Sequence, residues 1–133
     1  MAMQISNWLS AALLNAAFRN VAFSQPSTVY LALYTSDPTQ ADTGTEVSGG
    51  SYVRKAITFA VASLENGKMT VRSSADVEFP IATADWGLVT HVGLRTALTG
   101  GNLLCSQAIT PRSALIGDKP RFYAGSTLIR FAQ

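Results

Sequence analysis

The segment ATADWGLVTHVGL, residues 82–94, brings together residue types that could support catalysis. It holds Asp85, Trp86 and the single histidine of the chain, His91. A carboxylate that orients a histidine beside a serine would form the catalytic group of a hydrolase. However, Asp85 precedes Trp86 and a glycine, a turn context in which Asp usually bonds the backbone, and no G-x-S-x-G motif occurs. We therefore predict no catalytic residues and keep a small hydrolase only as a third hypothesis.

Acidic residues in the loop SDPTQADTGTEVSGG, residues 36–50, are the candidate metal ligands. Asp37, Asp42 and Glu46 offer oxygens that would suit Ca²⁺, but the EF-hand pattern is absent. One histidine and one cysteine cannot build a His/Cys metal site. The glycines form neither G-x-G-x-x-G nor a P-loop. We predict no metal and no cofactor, and leave open whether this loop binds an ion.

The one cysteine, Cys105, excludes an intrachain disulfide. It follows two leucines, and this apolar context predicts a small buried hydrophobic residue rather than a reactive thiol. The net charge of +2 comes from basic residues scattered along the chain, whereas nucleic-acid binders usually cluster them. We therefore expect no nucleic-acid partner.

Composition predicts a single domain over residues 1–133. Hydrophobic residues make up 47% of the chain, enough for a core. Charged residues make up only 14%, against ~25% in typical soluble domains. Small polar residues must solvate the surface, or a partner must cover part of it. The N-terminus lacks the basic region of a signal peptide, and no apolar run reaches the ~18 residues of a membrane span. We expect synthesis in a cytoplasm and no membrane contact.

Residues 5–22 are predicted to form a helix, because apolar residues recur at helical spacing and Ser6 could cap its start. Leu14 and Phe18 lie on a second apolar face. The helix could simply cover one end of its own domain, which we favour, or its second face could dock on another subunit. For the docking alternative, Trp8 and Phe18 are the candidate interface residues.

The rest of the chain has the pattern of short strands. STVYLALYT, residues 27–35, alternates apolar side chains on both faces and predicts a strand covered on both sides. Asn66-Gly67 predicts a two-residue hairpin turn, and Gly100-Gly101 a second hairpin. One helix followed by many short strands predicts a mainly β fold, a small antiparallel β-sandwich or barrel-like domain with one N-terminal helix.

The long loop 36–50 is the leading candidate for a contact surface. It is rich in small residues and in backbone that could pair with a neighbour, and long loops in compact domains are often functional. We expect its deletion over residues 39–45 to leave the domain folded. The candidate interface residues in this loop are Asp37, Pro38, Asp42, Thr43, Gly44 and Glu46.

The order of several segments resembles a family of small tailed-bacteriophage proteins commonly labelled tail fibre proteins, whose relatives include capsid cement or decoration proteins. The segments, which cover nearly the whole chain, are STVYLALYTSDPT, DTGTEVSGGSYVRKAITF, SSADVEFPIATADWGLVTHVGL, TGGNLL and a late GD before an aromatic strand. The resemblance implies a structural virion component made in the host cytoplasm, with other virion proteins as partners and with homo-oligomers expected.

Two roles within the virion follow. The first, which we favour, is a capsid cement or decoration protein that docks on the major capsid protein and stabilises the shell, since the heptads or repeats of a fibre shaft are absent. The second is a tail-fibre or baseplate adhesin that binds the host surface, with Trp86, Tyr52 and Tyr123 as aromatic residues that could line a sugar site. For each of the three, core packing is the favoured interpretation.

Overall fold

The computed structural model describes residues 3–130. Within this range the chain forms one helix and ten strands, which differ widely in length. In chain order they are β1 (Gln4–Ile5), α1 (Asn7–Phe18), β2 (Val29–Tyr34), β3 (Lys55–Ile57), β4 (Ser63–Glu65), β5 (Lys68–Arg72), β6 (Val77–Glu78), β7 (Gly87–Arg95), β8 (Leu103–Ala114), β9 (Arg121–Phe122) and β10 (Leu128–Arg130).

The strands pair antiparallel in three sheets. The largest has the order β1-β8-β7-β2-β3, a second has β10-β5-β4, and β6 pairs with β9. The predicted mainly β fold with one N-terminal helix is confirmed. The five-stranded sheet stays open between its edge strands β1 and β3, so the barrel-like alternative is not what forms.

The helix is shorter than the predicted range 5–22. It begins after Ser6, whose hydroxyl accepts a hydrogen bond from the Leu9 amide at 3.1 Å, as predicted for the cap. It ends because Asn20 adopts a left-handed conformation with φ of 56°. The amides of Arg19 and Val21 then both bond the Asn15 carbonyl, which closes the last turn.

The core lies on both faces of β2, as its alternating pattern predicts. Leu31 and Leu33 join the main cluster of buried side chains, which also contains Phe79 and Trp86. Tyr34, on the opposite face, is buried in a smaller cluster. Burial on both faces explains why consecutive residues of this strand are apolar.

Both predicted hairpin turns are present. Asn66 and Gly67 have φ of 49° and 77° and join β4 to β5, the two positive values that such a turn requires. Gly100 and Gly101, with φ of 63° and 72°, lie in the loop that joins β7 to β8. Because Arg95 pairs with Tyr30, residues 96–102 follow β7 at the end of the sheet where β2 begins.

Strand β8 bulges away from β7 near its middle. Val89 pairs with Arg112 and His91 with Ala108, so β8 advances four residues where β7 advances two. Pro111 lies in this bulge, where its missing N–H disturbs no ladder. Beside the bulge, a groove separates β8 from residues 118–122, which include β9.

Candidate interaction surfaces

Asp85 and His91 do not form a catalytic pair. Asp85 accepts a hydrogen bond from the Ile116 amide at 2.8 Å, so it bonds backbone 31 positions away rather than making the local Asx-type bond expected of an Asp in a turn. His91 Nδ1 lies 2.8 Å from the Thr90 hydroxyl, and the carboxylate nearest its Nε2 is that of Asp37, at 3.8 Å. The segment 82–94 is therefore a turn that leads into a largely buried strand.

Cys105 has the buried position predicted from its apolar context. Its side chain lies in the main core cluster. Burial raises the pKa of its thiol to about 12, so the reactive thiolate is essentially absent near neutral pH. The side chain acts as a small hydrophobic residue.

The three acidic residues of the 36–50 loop have separate partners. Asp37 accepts a hydrogen bond from the Thr39 amide at 2.8 Å, whereas Asp42 and Glu46 pair with two different arginines. Among the residues that the structure describes, no group of three or more His, Cys, Asp or Glu side chains is arranged to hold a metal ion. The geometry of the 36–50 loop therefore gives no support to the hypothesis that this loop binds an ion.

Glu46 lies at the centre of a half-buried polar network. Arg54 pairs with it at 2.7 and 2.8 Å, and the Tyr52 hydroxyl donates to it at 2.6 Å. Burial by itself raises the pKa of Glu46, but these hydrogen bonds outweigh burial and hold the pKa below its usual value. Arg54 also donates to the carbonyls of Ala97 and Gly100, both at 2.8 Å. It thus ties the 36–50 loop to the loop between β7 and β8.

Arg95 makes a second tie between the same loops. Its buried guanidinium donates to Asp42 at 2.7 Å, to the Tyr34 hydroxyl at 3.1 Å and to the Gly101 carbonyl at 2.9 Å. Burial raises the pKa of Tyr34 although Arg95 opposes the shift, so the phenol stays protonated. Neither Arg54 nor Arg95 was among the functional residues predicted from the sequence. The signal for Arg95 was an arginine that ends the apolar strand LVTHVGLR.

The loop residues proposed as an interface therefore differ in accessibility. Pro38 is fully buried. A Cβ on Gly44 would lie 2.6 Å from the Cα of Pro38, which explains why a glycine occupies position 44. Asp42 and Glu46 are held by arginines. Asp37 and Thr43 remain exposed. The longest continuously exposed part of the loop is its outer edge, residues 39–43.

Helix α1 is exposed to an unusual degree for an apolar helix. None of its side chains is fully buried. Phe18 is 81% exposed and Leu14 is 59% exposed. Trp8 contacts Phe23 with a ring-centroid distance of 6.3 Å, at a groove of about 360 Å³ between the helix and residues 21–24. The predicted second apolar face exists, and nothing in residues 3–130 covers it.

A larger groove of about 540 Å³ lies beside the β8 bulge. Val89 and Phe122 lie at its apolar side, and three cations line it, namely Arg112, Lys119 and Arg121. Lys119 pairs with a glutamate at 3.0 Å and Arg121 with an aspartate at 2.7 Å, whereas Arg112 has no ion-pair partner in the described range. The volume is typical of small-ligand sites.

Of the three aromatic residues considered for sugar binding, two belong to the core. Tyr52 contacts Trp86 edge-on with a centroid distance of 5.4 Å, and the Trp86 indole donates to the Gly50 carbonyl at 2.8 Å. Tyr123 is exposed, with the Arg121 guanidinium 5.2 Å from its ring centroid. Of these three, Tyr123 alone is exposed.

An open antiparallel β fold with an uncovered apolar helix face fits a structural protein that assembles with others. A family model described as "Podophage GP4 fiber I protein gp80" matches residues 4–130, nearly the full chain. The chain belongs to this family of phage fibre proteins, and the predicted resemblance to tailed-phage tail fibre proteins is confirmed. No curated protein matches the chain. Across residues 3–130, no helix is long and apolar enough to cross a membrane.

Proposed function

We propose that this protein is a non-enzymatic structural subunit of a podophage tail fibre, which packs against other virion proteins through α1 and the outer edge of the 36–50 loop. The observation that carries the proposal is the match of a podophage fibre family to residues 4–130. The exposed apolar face of α1 supports it, because a soluble protein that acts alone rarely leaves such a surface uncovered.

The separate roles of Asp85 and His91 support the non-enzymatic part of the proposal. Each group already has a hydrogen-bond partner of its own, and neither orients the other. A His91→Ala variant should therefore retain the function of the protein in infection, provided that its melting temperature is unchanged. Loss of infectivity with an intact fold would instead support the hydrolase hypothesis.

Location on the particle tests the fibre assignment. Gold-labelled antibodies against this protein should bind purified particles at the tail. Label distributed over the capsid shell would overturn the fibre proposal and support the cement hypothesis, which remains a prediction. Absence of label from detergent-opened and intact particles alike would contradict both virion roles.

Host-surface binding is a second candidate role, and the groove beside β8 favours it. Three cations and one aspartate, Asp118, line the groove, and Arg112, which has no ion-pair partner among the described residues, suits an anionic group. The exposed Tyr123 could contact a sugar ring. Titration of purified protein with acidic and neutral oligosaccharides tests this role. Arg112→Ala should weaken binding of the acidic ones, whereas Arg19→Ala, at the end of α1, should not. Equal binding by both variants would contradict it.

A further inference from the structure

The groove beside the β8 bulge reaches the core of the molecule. Leu33 on β2 and Val89 on β7 line it, although both belong to the main cluster of buried side chains. Ile109 and Phe122, which are half-buried at the edge of the same cluster, add to this apolar lining. The groove, of about 540 Å³, therefore leads from solvent to the core-facing side of the five-stranded sheet.

Arg112 occupies a core-facing position of β8 beside this lining. It pairs with Val89 across the β7–β8 ladder, and opposed residues of antiparallel strands place their side chains on the same face. Ala114, two positions further along β8, is buried in the core cluster, as the alternation of a strand requires. An apolar residue would normally stand at such a position, so the charge at 112 has no explanation in the packing of the sheet.

The guanidinium of Arg112 is also unused within the chain. Arg112 is exposed and has neither a hydrogen-bond nor an ion-pair partner in the part of the chain that the structure describes. Each of the other arginines donates at least one hydrogen bond to another residue. Arg112 is thus the arginine that is free to bind a ligand.

The other charges of the groove lining are already engaged. Lys119 pairs with Glu78 at 3.0 Å, and Arg121 pairs with Asp76 at 2.7 Å. Asp118 accepts a hydrogen bond from a backbone amide at 2.8 Å. The groove therefore offers one unpaired positive charge next to an apolar interior, which suits a ligand with one negative charge and an apolar body.

We propose that this groove binds a fatty carboxylate, with the carboxylate on Arg112 and the single aliphatic chain along Leu33, Val89, Ile109 and Phe122. A guanidinium and a carboxylate match in geometry, because two N–H groups can donate to the two oxygens in parallel. The groove volume is that of a site for one small ligand. The proposal rests on the groove considered above for host-surface binding and is independent of the fibre assignment.

Two other anionic ligands fit this groove less well. A sugar ring would place hydroxyl groups against Leu33, Val89 and Phe122, where they lose hydrogen bonds to water without replacement. A phosphate monoester carries a charge of about −1.5 to −2 near neutral pH, whereas the lining offers one unpaired cation and includes the carboxylate of Asp118. The single charge and the aliphatic chain of a fatty carboxylate match both parts of the lining.

Calorimetric titration with octanoate, decanoate and dodecanoate, each below its micelle-forming concentration, tests the ligand class. Affinity should rise about threefold for each added methylene that is buried, and octanol should bind about tenfold more weakly than octanoate. Affinity that is independent of chain length, equal binding of octanol and octanoate, or tighter binding of dodecyl phosphate than of dodecanoate would overturn the proposal. Binding of acidic oligosaccharides without binding of dodecanoate would also overturn it, while leaving the host-surface role standing.

Variants test the position of the carboxylate. Arg112→Gln should melt at the parent temperature and bind dodecanoate about tenfold more weakly, with octanol binding unchanged. Arg19→Gln, exposed at the end of α1, is the matched control and should bind dodecanoate as the parent does. Parent-like binding of dodecanoate by Arg112→Gln would overturn the proposal.

A second pair of variants tests the position of the chain. Ile109→Gln should weaken dodecanoate binding more than octanoate binding. Ile129→Gln, on β10, is the control, because Ile129 packs against the same core cluster but does not line the groove. Equal losses of affinity in the two variants would show that the chain lies outside the groove and would overturn the proposal.

Discussion

Arg54 and Arg95 hold the 36–50 loop, which the sequence predicted to be a contact surface. Both are largely buried, and each combines a carboxylate of the 36–50 loop with carbonyls of the β7–β8 loop. A buried guanidinium is tolerated when its charge is paired and most of its N–H groups have partners. Both terminal nitrogens of Arg95 donate hydrogen bonds, whereas its buried Nε has no partner among the described residues. Asp42 and Glu46 therefore form ion pairs within the chain, and these ion pairs hold the loop in place.

Replacing Glu46 should destabilise the fold in a pH-dependent way. Glu46→Ala leaves the buried charge of Arg54 without its carboxylate and should lower the free energy of unfolding by about 3 kcal/mol near neutral pH. Because the folded-state pKa of Glu46 is depressed, its stabilisation is full above the ordinary value of 4.5 and is lost as pH falls through the lower folded value.

The measurement is urea unfolding from about pH 6 to about pH 3 for the parent, Glu46→Gln and Glu78→Gln. The parent should lose more stability on acidification than Glu46→Gln does. Glu78→Gln is the control, since its pairing with Lys119 is exposed and screened by solvent. Parallel pH profiles for the parent and Glu46→Gln would contradict a structural role for this carboxylate.

Among the elements, the helix and the hairpins are defined locally, whereas the 36–50 loop combines internal hydrogen bonds with contacts to other elements. Within the loop, the Thr43 amide donates to the Pro38 carbonyl at 2.7 Å and the Thr45 amide to the Ser36 hydroxyl at 2.8 Å. α1 has its own cap at Ser6 and its own terminator at Asn20. The loop has no helix or strand of its own beyond an isolated bridge between Tyr34 and Glu46, and ion pairs to β7 and to the segment before β3 hold it. Changes in the loop should thus affect distant strands.

The turn between β4 and β5 should tolerate only residues that accept positive φ. Gly67 has φ of 77°, and no atom lies within 4 Å of a Cβ placed there. The cost of Gly67→Val is therefore backbone strain, about 1–2 kcal/mol, measured as a lower melting temperature. Gly67→Asn is the control and should cost less, because Asn enters this region more readily. Equal losses for both would point to a cause other than backbone conformation.

Deleting residues 39–45 should destabilise the domain, contrary to the expectation from the sequence. The deletion removes Asp42 and leaves the buried Arg95 without a carboxylate, which should cost about 3 kcal/mol or more. Chemical denaturation of the deletion variant tests this. Asp42→Asn, which keeps the loop but removes the charge, should lose a large part of the same stability. A deletion variant as stable as the parent would show that the Asp42 pair contributes little.

At the scale of the whole molecule, the chain divides into a packed β core and uncovered apolar surface. A protein with 14% charged residues has little charge to hold such surface in water, and the exposed side chains of α1 lie within its least charged segment. Membership in a phage fibre family fits this distribution, since the virion supplies neighbours that can cover it.

Incorporation into particles should depend on the outer edge of the 36–50 loop without any change in folding. Ala41 is exposed at this edge, and Ala41→Arg adds bulk and charge where we propose a contact. The variant should melt at the parent temperature but appear in particles at a lower copy number, measured by quantitative mass spectrometry. Val61→Arg serves as the control at an equally exposed position. Normal copy numbers for Ala41→Arg would place the contact elsewhere.

The amino-acid sequence by itself determined the features that depend on residues close together along the chain. The Ser6 cap, the Asn66-Gly67 turn, the alternation of β2 and the buried Cys105 all follow from local spacing and side-chain type. The tertiary structure alone decided which carboxylate meets which arginine, that one apolar side of α1 stays uncovered, and that β8 bulges at Pro111. Local rules act over about four residues, whereas Asp42 and Arg95 are 53 positions apart and meet only because β2 and β7 pair in one register.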